Sequence, residues 1–263
     1  MHPVLFEIGP ITIYGYGFMI MIGAILAYLY MSTQARKKYA LSFESSNNLL
    51  LLIILAAVVG GKLFMIFEDP SHYLSKPKAL LSPSGFVFYG SLLTAIPVML
   101  WYFKKEKLPV LGMLDIMAIA ACIVHMLGRQ GCFLAGCCYG TVTDSALAVV
   151  FDHPQTMARP IGVPIHPTQL YDSFQILIIM GFLFWLKNRK QFDGQLFLVY
   201  LMLYAFGRSI IEIFRGDISR GYLIQDWLSN SQFISIVIIG VAGYFYIKLK
   251  RKADLINRSK RKT

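Results

Sequence analysis

The chain has 263 residues, of which 56% are hydrophobic and 15% charged, with a formal net charge of +11. Soluble domains carry about 25% charged residues, so this composition, with a mean hydropathy of +0.58, excludes an ordinary water-soluble enzyme and points to an all-α polytopic membrane protein. The basic excess sits at the ends of apolar runs and in the last sixteen residues, which fits membrane topology and an anionic leaflet better than nucleic acid.

Seven apolar runs of about 20 residues each are long enough to cross a bilayer as helices. In chain order they are expected near 11–31, 48–67, 85–103, 109–127, 171–187, 194–213 and 229–248. The first ten residues, MHPVLFEIGP, contain neither Lys nor Arg, so the first run is expected to be a span and not a cleaved leader. All seven belong to one expected integral membrane domain, residues 1–263.

Basic residues set the expected orientation. Seventeen flank the runs on one side: Arg36, Lys37 and Lys38; Lys104, Lys105 and Lys107; Lys187, Arg189 and Lys190; and eight from Lys248 to Lys262. Only six, Lys76, Lys78, Arg129, Arg159, Arg215 and Arg220, flank them on the other. The positive-inside rule then places the N-terminus outside, the basic tail 248–263 in the cytoplasm, and the longest loop, 128–170, outside.

The run 194–213 contains Arg208 and Glu212. A charge at the middle of a membrane helix costs about 2.5–3.5 kcal/mol on insertion scales, so such residues mark function by default. Their four-residue spacing puts them on one helix face, one turn apart. With the orientation above, other unusual residues fall at the same outer depth. These are Tyr14, Tyr16 and Gly17; Gly60, Gly61 and Lys62; Gly85, Tyr89 and Gly90; His125, Gly128 and Arg129; His166, Gln169, Tyr171 and Asp172; and Tyr204 and Arg215. Asp115, on the inner side, is the exception. Each has a plainer reading. Tyr14, Tyr16 and Tyr89 suit interfacial anchors, Gly60 and Gly61 close helix packing, Lys62 a snorkelling stem, His125 a satisfied packing residue, and the Arg208–Glu212 pair a structural ion pair. Together they read as an anion site at head-group depth. Arg129 and Arg208 would offer planar forks to a phosphate, and Lys62 a point charge. Glu212 and Asp172 would orient the arginines, while His125 or His166 moves protons.

The four cysteines are Cys122, Cys132, Cys137 and Cys138. The C-x4-C-C spacing lacks the paired C-x2-C pattern of a closed zinc site. Packing, or a bridge from Cys132 to Cys137 or Cys138, is favoured over a metal site or a catalytic thiol, and no metal or other cofactor is expected.

The segment His125–Gly140 contains Gly-Arg-Gln-Gly-Cys-Phe-Leu-Ala-Gly-Cys-Cys-Tyr-Gly. It resembles the Gly-Arg-x-Gly-Asn-Phe-x-Asn-Gly-Glu-x-x-Gly signature of prolipoprotein diacylglyceryl transferases. Tyr16-Gly17-Phe18-Met19, Gly85 to Gly90, His166-Pro167-Thr168-Gln169-Leu170-Tyr171-Asp172, and Tyr204 to Arg215 resemble further motifs of that family, in the same order. Cys132 stands at an Asn position, Cys137 at a Glu position and Tyr89 at a His position. The resemblance implies a transferase of the bacterial plasma (inner) membrane. Its partners would be phosphatidylglycerol, surrounding membrane lipids and the signal peptides of prolipoproteins, and it would need no cofactor. It implies catalytic roles for Arg129, Arg208, Glu212, Tyr16, Tyr89 and His125. Lipid contacts would come from Arg129, Arg208, Tyr204, Gly140, Gln169, Asp172, Lys62 and Arg215. A related transferase with another acceptor, and a non-catalytic lipid-binding or transport protein, are the alternatives. A transporter should show paired half-repeats and polar groups at mid-bilayer, and neither pattern is visible.

Overall fold

The computed structural model describes residues 3–9, 11–81, 87–216, 222–224 and 227–260. Gly85 and Phe86, and the basic residues Arg220, Arg261 and Lys262, lie outside the described residues.

The described residues hold eight α-helices, in order α1 (Gly15–Tyr39), α2 (Phe43–Glu68), short α3 (Pro70–Ser75), α4 (Phe88–Lys105), α5 (Val110–Ala135), α6 (Thr168–Lys187), α7 (Gln195–Ile211) and α8 (Asn230–Lys260). A 3-10 turn, Glu212–Phe214, extends α7. Among the described residues, six helices are long and apolar enough to cross a membrane: α1, α2, α5, α6, α7 with its extension, and α8. The protein is thus a multi-pass membrane protein. α4, at the expected third span, is an 18-residue helix with Pro97 inside it and is not among the six.

The chain is helical, as expected, and the described residues also hold short strands between the helices. Three two-stranded antiparallel pairs join the helices: β1 (Val4–Ile8) with β2 (Ile11–Tyr14), β3 (Val149–Val150) with β4 (Pro164–Ile165), and β5 (Tyr222–Ile224) with β6 (Leu228–Ser229). Residues 11–14, read as the start of the first span, are therefore strand. β-branched Ile11, Thr12 and Ile13 fit a strand better than a helix.

Two helix ends also moved. α5 runs to Ala135, not 127, so the first eight residues expected in the loop 128–170 are helical. Gly128 and Gly131 lie inside this helix and let α1 approach: a Cβ on Gly131 would lie 3.1 Å from Tyr16 Cα, and one on Gly128 would lie 3.1 Å from Ile20 Cδ1. α8 continues to Lys260, carrying most of the expected tail 248–263 as helix, because Lys and Arg are good helix formers.

The chain divides into two compact units, Met1–Met31 with Leu114–Thr263, and Ser32–Met113. In the second, α2 and α4 pack at close range. A Cβ on Gly60 would collide with Thr94 Oγ1, and one on Gly90 would fall 2.6 Å from Gly60 O. Ser91 and Thr94 donate to the carbonyls of Ala57 (2.8 Å) and Ala56 (2.7 Å) on α2. Gly60 is thus a packing residue, as small residues are where membrane helices meet. In the first unit, Ile119 and Cys122 of α5, Ile176 and Leu183 of α6, and Leu196 of α7 form the buried core.

Asp115, the depth exception, caps α7. Its Oδ2 accepts from Gly194 N (3.0 Å) and Lys190 Nζ (2.7 Å), and Oδ1 accepts from Phe197 N (3.1 Å). The carboxylate satisfies two N–H groups at the start of α7 and faces the positive end of its dipole. Asp115→Ala should destabilise the protein by about 3 kcal/mol, by orphaning those donors and unpairing Lys190. Asp115→Asn keeps two acceptor directions and should cost less than half as much. Thermal unfolding in detergent tests the order; equal losses would reject the cap.

Candidate functional site

The first unit brings together charged residues from three helices. Near the end of α5, Arg129 Nε lies 2.7 Å from Asp172 Oδ2, on the first turn and a half of α6. At the end of α7, Arg208 Nη1 lies 2.6 Å from Glu212 Oε2, one turn on. The carboxylates are buried and the guanidiniums nearly so, with side-chain exposures of 15% and 5% in the first pair and 13% and 3% in the second. Neither contact has hydrogen-bond alignment, so the pairing is Coulombic.

Two rings link the pairs. His125, one turn before Arg129, packs edge-on against Tyr204 at 5.0 Å between centroids. Tyr204, one turn before Arg208, stacks on Tyr200 at 6.0 Å, and its hydroxyl meets the Arg129 guanidinium. His125 lies within the fields of Arg129, Asp172 and Arg208. The i, i+4 spacings 125/129, 200/204, 204/208 and 208/212 thus build one polar face on each of α5 and α7. Asp172 Oδ1 and Gln169 Oε1 are buried acceptors with no hydrogen-bond partner among the described residues. Such atoms cost about 1–3 kcal/mol each, which a ligand's hydroxyl donors would relieve.

Behind the arginines the chain turns sharply. Gly136 N reaches Phe133 O (3.3 Å) and Cys137 N reaches Cys132 O (3.1 Å), with Gly136 at φ +77°. This pair of bonds is a Schellman cap, which needs a left-handed residue at Gly136. Thr168 Oγ1 and Gln169 Nε2 then hold the carbonyls of Cys138 (2.7 Å) and Cys137 (2.6 Å). Gln169, expected at the lipid, therefore spends its amide N–H on this turn. Thr168 was missed by the sequence reading, although a hydroxyl at the first position of a helix was a signal.

Gly140 is wedged between two strands of loop. Its N–H donates to His166 O (2.9 Å), and a Cβ would meet His166 O at 2.6 Å and Phe214 O at 2.7 Å. It also forms an isolated bridge with Arg215. His166 Nδ1 lies 3.0 Å from the Tyr171 hydroxyl, and both rings pack on Phe214. Tyr16 is exposed at the start of α1, beside Gly131. Lys62 on α2 is half-buried and Tyr89 on α4 is exposed; both belong to the other unit.

The turn also collects three sulfurs. The Sγ atoms of Cys132, Cys137 and Cys138 all lie within 4.8 Å of one another, and all are free thiols. The spacing, read in the sequence as packing or a local bridge, is folded into a cluster by the cap. Hydrogen bonds from Cys132 and Cys137, with the charges of Arg129 and Arg215, hold the Cys138 thiol well below its ordinary range. Cys137, hydrogen-bonded to the other two sulfurs, is pushed up. Cys122 belongs to the core.

An apolar groove of about 530 Å³ runs between α6 and α7, lined by Tyr171, Gln175, Phe182, Leu203, Phe206 and Ile210 among others. A Cβ on Gly207 would strike the Gln175 amide, so glycine there lets Gln175 lie along α7 and donate to Tyr204 O (3.2 Å).

The family model described as prolipoprotein diacylglyceryl transferase matches residues 3–248. The chain is 35% identical over 252 residues to a phosphatidylglycerol–prolipoprotein diacylglyceryl transferase of Clostridium tetani, covering 95% of this chain and 98% of that one. It is 33% identical over 261 residues to phosphatidylglycerol–prolipoprotein diacylglyceryl transferase 2 of Clostridium perfringens, covering 97% and 98%. A Dehalococcoides mccartyi protein of the same name is 29% identical over 255 residues, covering 96% and 95%.

Proposed function

We propose that this chain, which belongs to the prolipoprotein diacylglyceryl transferase family, moves the diacylglyceryl group of phosphatidylglycerol onto a cysteine thiol of a prolipoprotein. The observation that carries this is the pair of carboxylate-held arginines, Arg129–Asp172 and Arg208–Glu212, in one buried polar cluster. In the reaction the acceptor sulfur attacks the glycerol carbon that bears the phosphate. An S–C bond forms as the C–O bond breaks, and glycerol 1-phosphate leaves with the electron pair. Charge grows on the departing phosphate, and preorganised Arg donors in a site of low dielectric stabilise it. Arg129 engages Asp172 through Nε, which leaves its two terminal nitrogens for phosphate oxygens. The acceptors Asp172 Oδ1 and Gln169 Oε1 suit the hydroxyls of the glycerol head group. The groove between α6 and α7 suits an acyl chain, and a lipid-lined site keeps out the water that would hydrolyse the donor.

In this reading α4 is the seventh span, the N-terminus is outside and the end of α8 is cytoplasmic, as the basic-residue asymmetry supports. The site then faces the outer side of the bacterial plasma membrane, and the segment after α5, up to residue 170, receives the signal peptide. Cys132, Cys137 and Tyr89 replace the Asn, Glu and His of the related signature, and this favours, as a second reading, a transferase of the same donor with another acceptor.

Glu212 orients Arg208 and is not the base. Glu212→Gln should therefore weaken phosphatidylglycerol binding and lower turnover together, each by about 10-fold, the scale of one lost charge-assisted contact. Lipid affinity in nanodiscs and glycerol 1-phosphate release, measured side by side, decide this. Intact affinity with lost turnover would make Glu212 the base. Release that needs no thiol acceptor would reject the transferase reading.

A further inference from the structure

We propose that Cys132, Cys137 and Cys138 form a three-thiolate site for a zinc ion, whose open fourth position takes the acceptor's thiol. The proposal rests on the transferase reading above and adds the step that reading leaves open, namely what deprotonates the thiol.

Geometry comes first. A tetrahedral zinc with bonds of about 2.3 Å to sulfur needs its sulfurs about 3.8 Å apart. The three Sγ atoms already lie within 4.8 Å of one another, a gap that side-chain rotation closes. The scaffold is rigid. The Schellman cap at Gly136 folds Cys137 back over Cys132, and Thr168 and Gln169 pin the next two carbonyls. Cys138 sits at φ +58°, a left-handed conformation that costs a non-glycine residue about 1–2 kcal/mol and turns its thiol toward the others. Strain of this kind is kept where surrounding structure enforces it, commonly at sites.

Chemistry selects the ion and its coordination. Three sulfurs with no fourth ligand beside them among the described residues leave an open position, the arrangement of catalytic zinc and not of structural zinc. Cys122 cannot supply a fourth, since it lies ten residues up α5, about 15 Å away along the helix, within the core. Three thiolates and Zn2+ carry one net negative charge, which Arg129 and Arg215 face. Cys132 is buried and the other two are half-buried, so one side stays accessible. A disulfide would use only two of the sulfurs, and the adjacent pair 137–138 is disfavoured by bridge geometry.

A thiol bound to zinc loses its proton at neutral pH. The proton passes to water, and the sulfur attacks with no change of oxidation state. Two of the three ligands, Cys132 and Cys137, stand at the Asn and Glu positions of the related signature, so the metal would take over the activation of the acceptor.

The test uses the full chain in nanodiscs, purified reduced, stripped with a chelator and reloaded with zinc or cobalt(II). One metal per chain and sulfur-to-cobalt charge-transfer bands are expected. Cys132→Ser, Cys137→Ser and Cys138→Ser should each lower metal affinity at least 10-fold, while Cys122→Ala keeps one metal. A lipobox peptide should shift the cobalt bands, and its Cys→Ser analogue should not. Absence of stoichiometric metal in the reduced protein, a Cys132–Cys138 bridge that resists reduction and excludes metal, or bands indifferent to the peptide would overturn the proposal. Release of glycerol 1-phosphate separates the two readings. Undiminished transfer by stripped protein sinks the zinc role and leaves the transferase, whereas a metal site without transfer sinks the transferase and leaves the site.

Discussion

Arg208→Lys and Arg129→Lys are each expected to lower diacylglyceryl transfer about 100-fold or more, with the protein still inserted and monodisperse. Losing one preorganised donor to developing negative charge typically costs about 10²–10³ in rate. Lys keeps the positive charge but offers a compact ammonium in place of a planar fork. Arg129 meets Asp172 through Nε at 2.7 Å and Tyr204 through the phenol, so a guanidinium can hold both and still turn two nitrogens to a phosphate. An ammonium on a shorter head cannot. Arg208 is held one turn from Glu212 on the same face of α7, and Lys there would pair with the carboxylate instead of the lipid. The loss should appear mainly in kcat, because charge on the phosphate is greatest in the transition state. Full activity in both Lys variants would remove the arginines from the phosphate.

Gly140→Ala should abolish activity and destabilise the fold by about 3 kcal/mol, the upper end for overpacking a tight interior. A Cβ would press on His166 O at 2.6 Å and Phe214 O at 2.7 Å. Both are backbone atoms, so no side-chain rotation relieves the clash. The segments it would push apart carry His166, which precedes the start of α6, and Arg215, which follows Glu212. Asp172 and Glu212 would both shift, and with them the two arginines. Gly181→Ala, with open space around its Cβ, is the control and should leave stability and transfer unchanged or slightly raised. Thermal unfolding and transfer by both variants decide it. An active, stable Gly140→Ala protein would show that the loop around the site yields.

The helices and their charged faces were legible in the sequence because hydropathy and four-residue spacing are local signals. Arg208 with Glu212 could be paired by counting, but Arg129 with Asp172 could not. That pair joins α5 to α6 across 43 positions, and only the orientation read from the basic residues put both at one depth. The end of α5 was misplaced because Gly128 and Gly131 act here through a neighbouring helix, which no single segment reveals. The same holds for Asp115, an apparent stray charge that caps α7 some 80 positions later. The short strand pairs escaped for another reason: two to five residues are too few for a period of two to stand out. The sulfur cluster was not legible from spacing, because it is the cap at Gly136, with a left-handed Cys138 after it, that brings the three sulfurs together.

The most direct test is the product itself. The purified protein in nanodiscs is given phosphatidylglycerol with labelled acyl chains and a lipobox peptide, and the peptide is analysed by mass spectrometry. The account predicts a peptide heavier by one diacylglyceryl group on its cysteine sulfur, no product from the Cys→Ser peptide, and none when phosphatidylethanolamine replaces the donor. An unmodified peptide with intact phosphatidylglycerol, from protein that is folded and inserted, would contradict it.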